Sequence, residues 1–247
     1  MTMNEFFKIY PKAALGFSGG VDSSYLLYEA RRLGADVKPY FVKSEFQPDF
    51  ELADAYKAAA FAKAELTVLP LDVLALRDVA DNTRMRCYHC KKVIVGAIKR
   101  AALIDGYTVL LDGCNASDDA DDRPGMLAAR ELGVMSPLRE AGLTKADIRR
   151  LSREAGLFTH DKPAYACLAT RIPHGTVIRA ETLREIERAE SALSEMGFTD
   201  LRVRTRDGGA KLQVRGEQMP LVLEKRREIL SALGGFGDIL LDLRERT

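Results

Sequence analysis

Residues Phe17-Ser18-Gly19-Gly20-Val21-Asp22-Ser23-Ser24 constrain what this chain can fold into more than any other stretch. Ala13-Ala14-Leu15-Gly16-Phe17 reads as a short buried strand, and Tyr25-Leu26-Leu27-Tyr28-Glu29-Ala30 as a helix that ends at Gly34. A strand therefore empties into a Ser/Gly turn that opens a helix. Small residues in such a turn let backbone N–H groups approach an anion, and the helix adds partial positive charge at the same point. Ser18, Ser23 and Ser24 add hydroxyl donors, and Asp22 sits inside the turn. The stretch predicts a phosphate cradle; the plainer alternative is a Ser/Gly turn with no ligand.

Strand and helix patterns alternate through the first two-thirds of the chain. Strands are expected at 13–18, 37–43, 66–71, 107–112 and 134–136, and helices at 22–33, 50–63, 91–104, 124–132 and 145–155. This alternation predicts an α/β fold, a doubly wound parallel sheet with helices on both faces. Ligands of such a sheet lie beyond the carboxyl ends of its strands, where the Ser/Gly turn, Lys43-Ser44 and Asp112-Gly113 all fall. Past Pro173-His174-Gly175 the pattern changes. A charged amphipathic helix at 180–196 is followed by a hairpin through Asp207-Gly208-Gly209, a helix near 219–233 and a strand near 238–243. The expected division is residues 1–175 as the nucleotide domain and 176–247 as a small C-terminal α+β domain that covers the active site.

Composition narrows the classes. Among 247 residues, 37 Lys and Arg against 36 Asp and Glu leave a net charge of +1, so no global attraction to nucleic acid is predicted. No apolar run approaches the ~20 residues of a membrane span, and residues 1–11 have no signal-peptide core. A cytoplasmic protein is expected, with no membrane partner and nucleic acid disfavoured; a homo-oligomer is also expected. In a reducing compartment its 4 cysteines point to metal or catalytic use rather than disulfides.

Cys87-Tyr88-His89-Cys90 followed by Lys91 is ambiguous by itself among zinc, redox and iron–sulfur roles. Cys167 is a third candidate ligand, and three thiolates would hold a [4Fe–4S] cluster with one iron open; three unrelated thiols is the alternative. Lys162, Arg171 and His174 neighbour Cys167 in sequence, and cations favour a nucleophilic thiolate. Cys114 reads as a small residue at a strand end, with a fourth cluster ligand as the alternative. Asp118, Asp119, Asp121 and Asp122 read either as a solvated loop or as Mg²⁺ ligands, Asp118 or Asp119 first among them; Asp22 has the stronger claim to Mg²⁺. Lys91 is a candidate for phosphate or adenylate oxygens, or simply an exposed lysine. Arg202 and Arg204 fall on one side of a strand, with Arg215 nearby, as anion binders or a solvated face. His89 and His160 read as structural. Thr144-x-x-Asp147 reads as a capping box that opens a helix ending at Gly156, with no catalytic role.

The Ser/Gly turn lacks the Gly-x-x-x-x-Gly-Lys-Ser/Thr of the Walker loop. It resembles the SGGxDS pyrophosphate loop of the PP-loop ATP pyrophosphatase superfamily, with its adenine nucleotide alpha hydrolase-like fold. Ser18-Gly19-Gly20-Val21-Asp22-Ser23, Arg86-Cys87-Tyr88-His89-Cys90-Lys91, Asp112-Gly113-x-Asn115-Ala116, Arg123-Pro124-Gly125, Ser136-Pro137-Leu138 and Cys167-Leu168-Ala169-Thr170-Arg171 together resemble the LarE family of sulfurtransferases. That resemblance implies adenylylation by ATP of the carboxylates of pyridinium-3,5-biscarboxylic acid mononucleotide. Sulfur then replaces oxygen, for the nickel-pincer cofactor of lactate racemase. It implies ATP, Mg²⁺ and a [4Fe–4S] cluster on Cys87, Cys90 and Cys167 whose free iron carries sulfide. In the family's other branch, a single cysteine at the position of Cys167 gives up its own sulfur. It further implies Phe17, Ser18, Gly19, Gly20, Asp22, Ser23, Ser24, Lys43, Gly113, Arg202 and Arg204 as binding residues, Cys167, Asp22 and Lys91 as catalytic ones, and Asp22 and Asp119 on Mg²⁺. The family usually has Thr where Cys114 stands. A tRNA thiolase of the same superfamily and a nucleotide-binding, metal-sensing interaction protein are the competing readings.

Overall fold

The computed structural model describes residues 1–118 and 124–244. In chain order the elements are α1 (Met3–Ile9), β1 (Lys12–Gly16), α2 (Val21–Arg32), β2 (Asp36–Lys43), α3 (Asp49–Phe61), β3 (Thr67–Pro70), α4 (Arg77–Ala80), α5 (Arg86–Ile104) and β4 (Leu110–Leu111). There follow α6 (Pro124–Glu131), α7 (Pro137–Glu140), α8 (Lys145–Glu154), α9 (Ala180–Glu195), β5 (Arg202–Arg206), β6 (Gly209–Gln213), α10 (Met219–Glu224), α11 (Arg226–Ala232) and β7 (Ile239–Leu241). They form two compact units, one of Met1–Val73 with Met85–Ala164 and one of Leu74–Arg84 with Tyr165–Thr247. The chain thus passes into the second unit at 164/165, earlier than the boundary expected at 175, and 74–84 also belongs to that unit.

The first unit is the expected α/β layer structure. Its sheet runs β3-β2-β1-β4, all parallel. Successive side chains of a strand point to opposite faces. Ala13, Leu15, Val37, Phe41 and Leu111 therefore meet α1, α2, α3, α7 and α8 on one face. Ala14, Tyr40, Val42 and Leu110 meet α5 on the other. Both faces are covered, which is why the strands read as nearly continuous apolar runs. The strand expected at 134–136 is a single parallel bridge between Leu111 and Met135, cut short by Pro137 at the start of α7. Helix α5 starts at Arg86 rather than at 91, so the Cys-x-x-Cys lies within the helix. Met85 precedes it without any side-chain cap, so no Ser, Thr, Asp or Asn announced the start. Helix α1 was not anticipated, although Thr2 and Glu5 form a complete capping box.

The second unit packs α9 and α11 on a small mixed sheet, β5-β6-β7. β5 and β6 are antiparallel, with Arg206 opposite Gly209. Asp207 and Gly208 between them have φ of 50° and 81°, the two positive values that a two-residue hairpin turn of type I′ demands. β7 lies parallel to β6. The helix expected over 219–233 is two short helices parted at Lys225, and nothing in the residue types there explains the break. Among the described residues no helix is long and apolar enough to cross a membrane.

Candidate nucleotide site

Phe17 still donates its N–H to Tyr40 of β2, at 2.8 Å; beyond it the chain leaves the sheet and Gly20 caps α2. Gly19 has φ of 68°, and a Cβ there would lie 2.8 Å from both the backbone N and Cα of Ala55 on α3. Only glycine satisfies both the left-handed conformation and the close approach. Ser18 and Ser23 lace the turn: their hydroxyls are 3.2 Å apart, Gly20 N–H donates to Ser18 Oγ at 3.3 Å, and Ser23 Oγ donates to Gly20 O at 3.3 Å. Ser24 Oγ is buried and has no hydrogen-bond partner among the described residues. On the other flank the Asp112-Gly113 segment closes in, for a Cβ on Gly113 would lie 3.0 Å from Ser23 N. The result is a turn at a helix N-terminus, held open by side chains and lined by small residues, able to present N–H groups to an anion.

Two lysines that sequence reasoning did not place here flank the turn. Lys145, the first residue of α8, pairs with Asp22 at 2.5 Å, and Asn115 Nδ2 donates to the same carboxylate at 3.4 Å. Lys162 pairs with Asp54 of α3 at 2.7 Å and reaches Gly19 O at 3.5 Å, its side chain 15% exposed. The signal for Lys145 was the Thr144-x-x-Asp147 capping box, which is present and puts that lysine at the start of a helix. Lys162 has no local signal, because its partners are more than 100 residues away.

The remaining predicted residues fall in several places. Lys43 ends β2, but its ammonium is held by Gln47 O and by Asp49 at 2.7 Å. Asp118 accepts from Asn115 N–H at 2.9 Å in its own loop. Asp119, with Asp121 and Asp122, lies outside the described residues. Asp112 accepts from Ser136 Oγ at 2.7 Å and Cys114 N–H at 3.1 Å, and the Cys114 thiol lies 3.2 Å from its other oxygen. Burial first, then the Asp112 charge, push the Cys114 thiol up to about 12. Lys91, on α5, acts on that thiol in the opposite direction. Cys87 and Cys90 are three apart on α5 and therefore share a helix face. Cys87 is exposed, with Arg86 Nη2 3.5 Å from its sulfur.

Cys167 belongs to the second unit, where it leads into a 3₁₀ turn, Leu168–Arg171. That turn is anchored by Arg171, which is 1% exposed. Arg171 pairs with both oxygens of Glu190 at 2.9 Å and donates to Ala166 O at 2.7 Å and Cys167 O at 3.4 Å. Glu190 also takes Tyr165 OH at 2.6 Å and Val203 N–H at 2.8 Å. Burial alone would depress the Arg171 guanidinium, but the bond to Glu190 and the Glu190 charge raise it above its ordinary value. Of the three cations expected around Cys167, Lys162 is thus committed to Asp54 in the first unit. His174 Nδ1 lies 3.3 Å from Asn82 O. Arg202 stacks on Tyr165 and donates to Leu201 O at 2.6 Å. Arg204 donates to Gln213 and to Thr170 O, both at 2.6 Å. Arg215 lies beyond β6, exposed and paired with Glu217. Among the described residues no group of three or more His, Cys, Asp or Glu is gathered to hold a metal ion.

A parallel α/β unit with a Ser/Gly turn at the carboxyl end of its first strand, joined to a smaller α+β unit, is the class these features define. The chain belongs to the family of pyridinium-3,5-bisthiocarboxylic acid mononucleotide synthase. It is 32% identical over 238 residues to the Lactiplantibacillus plantarum protein of that name, covering 94% of this chain and 86% of that one. It is also 32% identical over 244 residues to an uncharacterised protein of Synechocystis, covering 98% and 91% of the two. An uncharacterised protein of Methanocaldococcus jannaschii is 28% identical over 229 residues, 92% and 86% of the two. No family model matches the chain.

Proposed function

We propose that this protein is an ATP-dependent sulfurtransferase acting on the carboxylates of pyridinium-3,5-biscarboxylic acid mononucleotide; the name of its L. plantarum relative makes that protein a synthase of the bisthiocarboxylic acid mononucleotide. The product would serve as a precursor of a nickel-pincer cofactor. The observation that carries the reading is the turn at Ser18–Ser23, with Gly19 pressed on Ala55 and Lys145 and Lys162 beside it. A carboxylate is a poor electrophile because its leaving group would be oxide. Attack of a substrate carboxylate oxygen on the α-phosphorus of ATP breaks the bond to the β-phosphate and releases pyrophosphate. The turn's N–H groups, with Lys145 and Lys162, offset the charge that collects on that leaving group. Sulfur then attacks the acyl carbon, and AMP leaves with the former carboxylate oxygen.

Asp22 is the residue of the turn suited to Mg²⁺, which takes oxygen ligands; its present partner, Lys145, would have to yield. Cys87 and Cys90, a turn apart on one helix face, would hold one edge of an iron–sulfur cluster, and Cys167 is assigned as its third ligand, although among the described residues no group of three such ligands is gathered in this structure. Such a cluster would supply an exogenous sulfide. Lys91, Arg202 and Arg204 are assigned to the anionic groups of the substrate and adenylate, Arg202 and Arg204 by exchanging the carbonyls they now hold.

The test is pyrophosphate release by protein reconstituted anaerobically with iron and sulfide, given ATP, Mg²⁺, sulfide and pyridinium-3,5-biscarboxylic acid mononucleotide, with mass spectrometry of nucleotide and protein. Pyrophosphate formed only when the mononucleotide is present, with sulfur-for-oxygen exchange in the product, supports the reading. No substrate-dependent pyrophosphate would overturn it.

A further inference from the structure

This inference rests on the ATP reading above and extends it to the nucleoside. Glu45 stands two residues past the end of β2, the strand paired to β1 along its length. Its Oε2 is buried and has no hydrogen-bond partner among the described residues. A buried polar atom left unpaired is costly, more so when charged, so native structures rarely keep one without a reason. The polar neighbours of Glu45 have closed on one another instead. Ser44 Oγ donates to Gln47 Oε1 at 2.7 Å and accepts Phe46 N–H at 3.2 Å. The Lys43 ammonium, the nearest cation in sequence, goes to Gln47 O and Asp49.

The strand order narrows what could pair with Glu45 Oε2. A triphosphate seated on the turn after β1 must extend its nucleoside over a neighbouring strand end, β2 or β4. On the β4 side a Cβ on Gly113 would already lie 3.0 Å from Ser23 N, so that flank of the turn leaves little room at the first turn of α2. The segment after β2 is left. A carboxylate only accepts hydrogen bonds, so its partner must be a donor. Among the described residues no group of three or more His, Cys, Asp or Glu gathers around Glu45, which makes it a poor Mg²⁺ site. We infer that Glu45 reads the nucleoside of ATP, its Oε2 accepting from a neutral donor on the ribose or on the adenine 6-amino group.

The experiment is calorimetric titration of the full chain with ATP, 2′-deoxy-ATP, 3′-deoxy-ATP, purine riboside triphosphate and inorganic tripolyphosphate. Wild type, Glu45→Gln and Glu45→Ala are compared, with melting temperature as the check on folding. One of the three analogues should bind wild type ~10-fold or more weakly than ATP, the loss expected for a hydrogen bond to a charged group. Which analogue it is tells ribose from adenine. In both variants ATP should weaken to the level of that analogue, and tripolyphosphate should bind as before. Unchanged discrimination in the variants overturns the inference while leaving the ATP reading intact. So does an equal weakening of tripolyphosphate, which would make Glu45 a phosphate or metal residue. Failure of wild type to bind ATP at all overturns the ATP reading, and this inference with it.

Discussion

Gly19 and Gly34 both have positive φ, yet they differ in what surrounds them. Gly34 has open space where a Cβ would go, whereas Gly19 lies against the backbone of Ala55. Gly34→Ala should therefore cost only the left-handed penalty, roughly 1–2 kcal/mol of stability, with ATP binding unchanged. Gly19→Ala must also displace α3 or the turn itself, and should weaken ATP binding ~10-fold or more by displacing the turn's N–H groups. Parallel calorimetry and urea titration would separate the two; equal effects of both substitutions on ATP binding would refute the assignment. Cys114 gives the second prediction at this scale. Its folded-state value, about 12, stands above the ordinary 9.0, so the folded protein holds that proton more tightly. The stability this contributes is complete below pH 9.0 and is lost as pH rises through about 12. Melting temperature should fall more steeply above pH 9.0 in wild type than in Cys114→Thr. Alkylation at neutral pH should mark the exposed Cys87 well before Cys114. The Ser/Gly turn could be read from its residues because φ preference and small size are local properties. That Lys162 belongs to it could not, since nothing near Lys162 in sequence indicates Gly19 or Asp54.

At the scale of elements, the strands of the first unit and the hairpin of the second follow from periodicity and turn chemistry. Leu110 and Leu111 serve opposite faces of one sheet, and Asp207-Gly208 makes the turn its residues predict. The start of α5 was hidden because Met85 does not cap it, and with it the fact that Cys87 and Cys90 share a helix face. Arg202 and Arg204, expected as anion binders, tie β5 to the turn after Cys167 and to Tyr165 in this structure. The Arg171–Glu190 pair holds that arrangement together. Glu190→Ala leaves a buried guanidinium without its partner and should cost about 3–5 kcal/mol. Replacing both residues, Arg171→Met with Glu190→Leu, should cost less than the single change. Urea denaturation of the three proteins checks this, and a loss below about 1 kcal/mol in Glu190→Ala would contradict a structural role for the pair.

At the scale of the whole molecule, the chain enters the second unit twice. The first visit, Leu74–Arg84, is secured by Asn82, which is fully buried with φ of 52°. Its side chain donates to Pro173 O at 2.8 Å and Ile172 O at 3.3 Å, and its carbonyl accepts Gly175 N–H at 3.0 Å. Ile178 N–H donates to Ala80 O at 2.8 Å. Asn82→Ala should lower stability by about 1–3 kcal/mol, measured by urea denaturation, because the carbonyls of Ile172 and Pro173 lose buried donors. Asn82→Asp should not restore it, since a carboxylate cannot donate to them.

From its residues alone this chain is committed to a parallel α/β layer with a small-residue turn after its first strand, and to a two-residue hairpin near its end. Those features rest on side-chain period, backbone preference and size, which act between near neighbours. Which lysines stand beside the turn, which unit residues 74–84 join, and that Glu45 is left with a buried oxygen unpaired among the described residues were decided only when distant segments packed. Hydrogen bonds and ion pairs are contests among all the groups that come within reach, and the chain's order does not say which groups those are.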